Sequence, residues 1–214
     1  MGIDVGSHRS RAAIRGHGIS MVVNSRASFT FSGTCYPGDF SSYLYVFGGP
    51  DDTLYLPNEE DPDRESMSAK YAPYILANAS DNVLAEYSLV NSIMERKNDE
   101  AFRELLKRGL GDLIRAIRQE VLCACKTENL RIARIGVTIP VQWGLEFETV
   151  YRSAISSAFP DLEAEVYFYT EIEALARYLF KHYQRNLDPR HEYTTMMFLD
   201  FGGHCMVRLS LPGN

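Results

Sequence analysis

The chain has 214 residues, of which 45% are hydrophobic and 12% aromatic. That is enough apolar material for one or two domains with a real core, and a charged fraction of 23% excludes wholesale disorder. The net charge of -6 disfavours bulk neutralisation of phosphates, so nucleic-acid binding is not expected.

No apolar run reaches membrane-spanning length, and the start, MGIDVGSHRS, lacks the charged segment and apolar stretch of a signal peptide. A cytoplasmic protein without membrane contact is expected. Residues 2–5 and 11–15 read as short strands around a tight turn, Gly6-Ser7-His8-Arg9-Ser10, and Ile19 to Asn24 as a third strand. Strands so close together predict an antiparallel meander.

Residues 32–66 are rich in Gly, Pro, Ser and Tyr, with Tyr43–Phe47 and Thr53–Leu56 placed to form a hairpin. The acidic run from Asp51 to Glu65 lacks the glycine of a calcium loop and reads as a solvated loop. Residues 67–94 carry a mixed apolar pattern that reads as helix.

Residues 99–125 form the clearest helix. Phe102, Leu105, Leu106, Leu110, Leu113, Ile114, Ile117 and Val121 make one apolar stripe, and Asn98 or Asp99 can cap its start. Arg103, Lys107, Arg115 and Arg118 decorate the polar side, where a solvated face is favoured over a basic groove. Cys35, Cys123, Cys125 and Cys205 match no zinc spacing and are expected to be reduced thiols, with Cys123 and Cys125 on different helix faces.

Ile132 to Ile139 is a buried-type strand ending at Pro140, and a helix follows with Phe147, Val150, Tyr151, Ala154, Ile155 and Ala158 on one face. Val166–Tyr169 reads as strand, Glu171–Tyr183 as helix, Thr195–Asp200 as strand, Gly202-Gly203 as a turn and Met206–Leu211 as the last strand. The second half is therefore an α/β pattern expected to close by parallel crossovers.

Three features carry chemistry. Asp4 ends a strand and is followed by Gly6, Ser7 and His8, a turn that can aim backbone N–H groups at a phosphate while the carboxylate reaches a hydrated cation. Asp200 ends an apolar strand and is followed by Gly202 and Gly203, the same design. Glu171 opens a helix just after a strand, where a carboxylate can orient or deprotonate a water or simply favour the helix dipole.

Ile3-Asp4-Val5-Gly6-Ser7-x-x-Ser10 resembles the first phosphate loop of the actin-like ATPase superfamily, in its seventy-kilodalton heat-shock branch. Val137-Thr138-Ile139-Pro140 with Trp143 resembles that family's T-[VI]-P turn. The stretch from Tyr169 to Tyr178 resembles its EPxAA-type helix start, and Leu199-Asp200-Phe201-Gly202-Gly203 its second phosphate loop. The acidic insert and the Trp143 segment are similar to divergent fungal members.

The resemblance implies an α/β, RNase H-like lobe built as a mixed sheet with helices. Residues 1–35 and 99–214 would form the core subdomain and 36–98 a smaller inserted one. ATP and magnesium are the implied cofactors. Asp4 and Asp200 would stand near magnesium through waters; Gly6, Ser7 and His8 would line the phosphates opposite Gly202 and Gly203; and Glu171 would position water. Lys70 can stand where the family keeps a phosphate-facing lysine, although a solvent-facing lysine is the favoured reading.

Where the family's second loop reads D-x-G-G-G-T-x-D, this sequence has His204, Cys205 and Val207 in place of the third glycine, the threonine and the last acid. The family's adenosine loop lies in a second lobe that these residues do not include. The expectation is thus a truncated ATP-binding lobe, weakly active or inactive alone, completed by a partner or a missing lobe. The alternatives are a degenerate, non-catalytic interaction protein of the same fold and, less favoured, an RNase H-like nuclease using Asp4, Glu171 and Asp200, or a sugar kinase.

Overall fold

The structure is a computed structural model. It describes residues 1–6, 9–16, 19–23, 39–41, 43–45, 66–78, 80, 82, 96–141, 143–161, 163–183, 196–201 and 206–211. In chain order the strands are β1 (Gly2–Val5), β2 (Arg9–Gly16), β3 (Ile19–Val23), β4 (Asp39–Ser41), β5 (Tyr43–Tyr45), β6 (Ser66–Ser68), β7 (Arg134–Ile139), β8 (Glu165–Thr170), β9 (Met196–Phe201) and β10 (Met206–Leu211). The helices are α1 (Ala72–Leu76), preceded by a 3-10 turn at Ala69–Tyr71, then α2 (Glu100–Thr127), α3 (Leu145–Ala158) and α4 (Glu171–Tyr183).

The meander forms as its sequence demands, with β1 antiparallel to β2 and β2 antiparallel to β3. β4 takes the stretch of β2 from Arg9 to Arg11 that β3 leaves unpaired. On the other side of β1 the chain returns in parallel, first as β7 and then as β8. The result is a mixed α/β sheet in the order β3-β2-β1-β7-β8, with β4 beside β2.

Alternation puts Ile3 and Val5, Ala12 and Ile14, and Ile135, Val137 and Ile139 into the core. The stripe of α2 joins the same cluster through Phe102, Leu106, Leu110, Leu113, Ile114, Ile117 and Val121, and α3 adds Phe147, Tyr151 and Ile155. Each such Leu or Ile stabilises the fold by about 1.5–3 kcal/mol relative to an exposed position. Phe40, Met67, Ala69, Ala72, Tyr74 and Ile75 belong to this core as well.

Both ends of α2 are chemically marked. The Asp99 carboxylate accepts from the Phe102 N–H at 3.2 Å. At the far end Asn129 turns left-handed, with φ of 51°, and the Leu130 N–H closes on the Cys125 carbonyl at 2.8 Å. As expected, Cys123 is exposed and Cys125 buried.

Three expectations are corrected. Of the helix read over residues 67–94, the described stretch to residue 78 is broken up: strand β6 comes first, then the 3-10 turn and the short α1, which stops where Asn78 turns left-handed with φ of 52°, while residues 83–94 lie outside the described residues. Arg103 is not simply a solvated cation. Its guanidinium donates to the carbonyls of Ile75 at 2.6 Å and Leu76 at 3.2 Å, closing the C-terminus of α1 and locking it to α2.

The parallel return expected after α4 is also absent among the described residues, because β9 pairs antiparallel with β10 in its own two-stranded sheet. A hairpin across a short connection closes at less entropic cost than a return across a whole helix. Likewise β5 pairs with β6; residues 53–56 and the acidic run 51–65 lie outside the described residues. No described helix is long and apolar enough to cross a membrane.

Candidate functional site

Because β1, β7 and β8 run parallel, their carboxyl ends reach one edge of the sheet. Open α/β sheets present ligand sites at such an edge. Asp4 lies on the pleat opposite the buried Ile3 and Val5, and its register partner on β7 is Thr138. The Thr138 hydroxyl donates to Asp4 Oδ1 at 2.6 Å, which fixes the carboxylate's orientation.

Just beyond β1 comes Gly6. A Cβ built there would overlap the backbone carbonyl oxygen of Arg9, so the turn into β2 is closed to any residue with a side chain. This close approach of backbone to backbone is the physical reason for glycine in the turn.

Glu171 arrives from the third parallel strand as the first residue of α4. A reciprocal capping box holds this start. The Thr170 hydroxyl accepts from the Glu173 N–H at 3.2 Å, and the Glu173 carboxylate accepts from the Thr170 N–H at 2.9 Å. The Thr170 backbone N–H above all, and then the Thr170 hydroxyl, hold the Glu173 carboxyl below the usual carboxylate range. Glu171 itself is left to face a different partner.

That partner is Lys70, whose Nζ donates to Glu171 Oε1 at 2.7 Å. The two side chains are only 14% and 15% exposed, so this is a half-desolvated pair and not a surface contact. Lys70 is delivered by the 3-10 turn, whose cap Ser68 accepts from the Lys70 N–H at 3.3 Å. The favoured reading of a solvent-facing lysine is therefore overturned. Lysine at this place satisfies a carboxylate that would otherwise be buried alone.

Behind the pair lies an aromatic wall. Trp143 stacks on Phe147 and Tyr151 with centroids 5.0 and 5.6 Å apart, and Tyr74 meets Trp143 edge-on at 5.4 Å. Burial above all, and then the negative charges of Asp4 and Glu171, hold the Tyr151 phenol well above its ordinary range. The wall is thus a neutral, low-dielectric backing to two carboxylates.

Of the residues singled out from sequence, the structure brings Asp4, Gly6 and Glu171 to the strand-tip edge and its immediate turn. Ser7, His8, Gly202 and Gly203 lie outside the described residues. Asp200 is placed by its backbone in β9, opposite Val207 of β10, and its side chain lies outside the described residues. Thr138 enters the sequence reading only within the T-[VI]-P turn, and Tyr151 only as a core position of the helix that follows. Thr138 was legible in principle, since pairing β1 with β7 in parallel sets it beside Asp4.

No protein-family model matches the sequence, and no curated protein matches it.

Proposed function

We propose that the carboxyl edge of β1, β7 and β8 binds the polyphosphate of a nucleotide with its magnesium ion, as the ATP-binding lobe of an actin-like ATPase of the heat-shock type. The observation that carries this reading is the meeting of a hydroxyl-oriented Asp4 with a lysine-paired Glu171 at one sheet edge, beside a turn that only glycine fits. The mixed sheet, with an antiparallel meander on one side of β1 and parallel strands on the other, supports the finer RNase H-like reading.

The donor set suits magnesium. Asp4 offers the hard carboxylate oxygen that magnesium takes, with waters and phosphate oxygens to complete the shell. Asp4 would hold that hydrated ion, with Asp200 as the second carboxylate. The backbone of Gly6, Ser7 and His8, with Gly202 and Gly203, would face the phosphates. Magnesium bound there supplies charge neutralisation of the phosphates.

In this reading Lys70 adds fixed positive charge, and Glu171 orients or accepts a proton from water. Thr138 keeps Asp4 aimed at the ion, and the aromatic wall excludes solvent from the back of the carboxylates. His204 and Cys205 depart from the family's second loop and weaken its grip. Phosphoryl transfer depends on positioning and charge stabilisation, and a misplacement of about 1 Å can cost on the order of a hundredfold in rate. Weak ATP binding with negligible turnover by this chain follows.

The nuclease alternative needs carboxylates committed to paired metal ions. Glu171 is already neutralised by Lys70, which opposes that use. A non-catalytic interaction protein of the same fold differs in binding no nucleotide at all.

The test is titration of a fluorescent ATP analogue with and without magnesium, alongside steady-state phosphate release. Magnesium-dependent binding is expected, weakened about tenfold or more by Asp4→Asn, with phosphate release at background. Equal binding by wild type and Asp4→Asn would overturn the assignment of the ion site. Robust release that Glu171→Gln abolishes would overturn the expectation of negligible turnover.

A further inference from the structure

A cavity of about 220 Å³ opens at the other end of the central strands, where β1 and β7 begin. β2 runs antiparallel to β1 and so brings Ile14 and Arg15 to the same edge. The left-handed turn at Asn129 ends α2 and delivers Arg131 to the cavity just before β7 starts.

Three of the lining residues are arginines, Arg15, Arg131 and Arg134, and none is Asp or Glu, on a chain of net charge -6. Arg15 and Arg131 are exposed and make no hydrogen bond or ion pair among the described residues. Arg134 has one ion pair, with Glu165 at 3.7 Å, where the two side chains are 74% and 66% exposed, and it lies over the Tyr167 ring at 5.9 Å. Neither contact brings an N–H donor to hydrogen-bond distance, and so open a pair contributes little in water. Like charges gathered around one cavity repel, and an anion between them removes that repulsion.

The back of the cavity is apolar and dry. Ile14, Cys125 and Ile132 are buried in the core that α2 shares with the sheet. Burial pushes the Cys125 thiol up, so it is an uncharged piece of wall and not a nucleophile. Charge pairing against such a wall is stronger than in open water.

Size and charge together select the occupant. At about 30 Å³ per water the space holds roughly seven waters, less than a drug-sized ligand needs. Guanidinium forks match phosphate oxygens two at a time, and a phosphate monoester carries about -1.5 to -2 charges at pH 7, enough to engage more than one arginine.

We propose that this cavity binds the dianion of a small, soluble phosphate monoester, its oxygens taken by Arg15, Arg131 and Arg134 and its apolar body set against Ile14 and Ile132. The inference does not depend on the nucleotide reading, because the cavity shares no residue with the strand-tip site.

The probe is phenyl phosphate, titrated calorimetrically into the full chain at low salt. Saturable binding is expected. Arg15→Gln and Arg131→Gln each weaken it about tenfold, as loss of a charged hydrogen-bond donor does, with unchanged thermal midpoints because both side chains are exposed. Ala133→Glu, at another exposed lining position, weakens it as well by setting a carboxylate among the guanidiniums. Flotation with phosphatidate-containing vesicles, which offer the same chemistry on a lipid, leaves the protein unbound. The proposal is overturned by absence of saturable binding, by wild-type affinity in the Arg15→Gln/Arg131→Gln double variant, by equal binding of the monoanion benzenesulfonate, or by vesicle flotation that the double variant loses.

Discussion

The interior beneath α2 and the strand-tip edge are built on opposite terms. Leu113, Ile114 and Ile117 are wholly buried and depend only on being apolar and well fitted. At the edge, Lys70, Glu171, Asp4 and Thr138 are half-buried and depend on specific partners 101 to 134 residues away in the chain. The interior forgives a change of like shape, whereas the edge forgives only changes made to both members of a pair.

The comparison can be broken by substitution, most forcefully in the interior. Leu113→Ala should cost about 2–5 kcal/mol, read from urea midpoints. A loss under about 1 kcal/mol would show that the long helix is not the keystone of the core. At the edge, Lys70→Met should cost about 1–3 kcal/mol by leaving Glu171 desolvated without its cation. Adding Glu171→Gln should recover most of that loss. Additive losses in the double variant would show that the pair is not coupled.

The wall behind the edge gives a milder and pH-dependent effect. The folded Tyr151 phenol ionises above its ordinary value of 10, so it leaves stability intact below pH 10 and removes it as pH rises toward the folded value. Thermal midpoints of Tyr151→Phe should therefore fall less steeply above pH 10 than those of the wild type. An identical alkaline fall would place the responsible group elsewhere.

The smallest effect concerns the capping box. Thr170→Ala should cost about 1 kcal/mol. The Glu173 carboxyl, depressed by Thr170, contributes stability above its unfolded value of 4.5 that is lost as pH falls through its folded value. Glu173→Gln should flatten that acid limb in melting curves taken from pH 6 down to 3. An unchanged limb would mean that the box does not hold the helix start.

Periodic elements were readable from the sequence. The α2 stripe reappears almost residue for residue in the core, and the bounds of α4 and β10 coincide with those expected. The interrupted stretch after residue 66 was not readable, because its helix is stopped by left-handed Asn78, a backbone choice that apolar spacing does not encode. Asp4, Gly6 and Glu171 were legible as candidate site residues because each follows or ends an apolar strand. Lys70 is legible only through the family resemblance and Thr138 only through the pairing of β1 with β7, since their partners lie more than a hundred residues distant.

The central place of β1 has a consequence for how the protein is made. Its edge toward β2 is satisfied within the first 16 residues, but the other waits for residues 136–138 of β7. At roughly 5–20 residues per second, a ribosome takes on the order of ten seconds to supply that partner. Throughout that interval an apolar strand with open hydrogen-bonding groups stands ready to pair with a neighbouring nascent chain. Slowing elongation between β2 and β7 should thus lower the soluble yield, and a holding chaperone that covers the first two dozen residues should restore it.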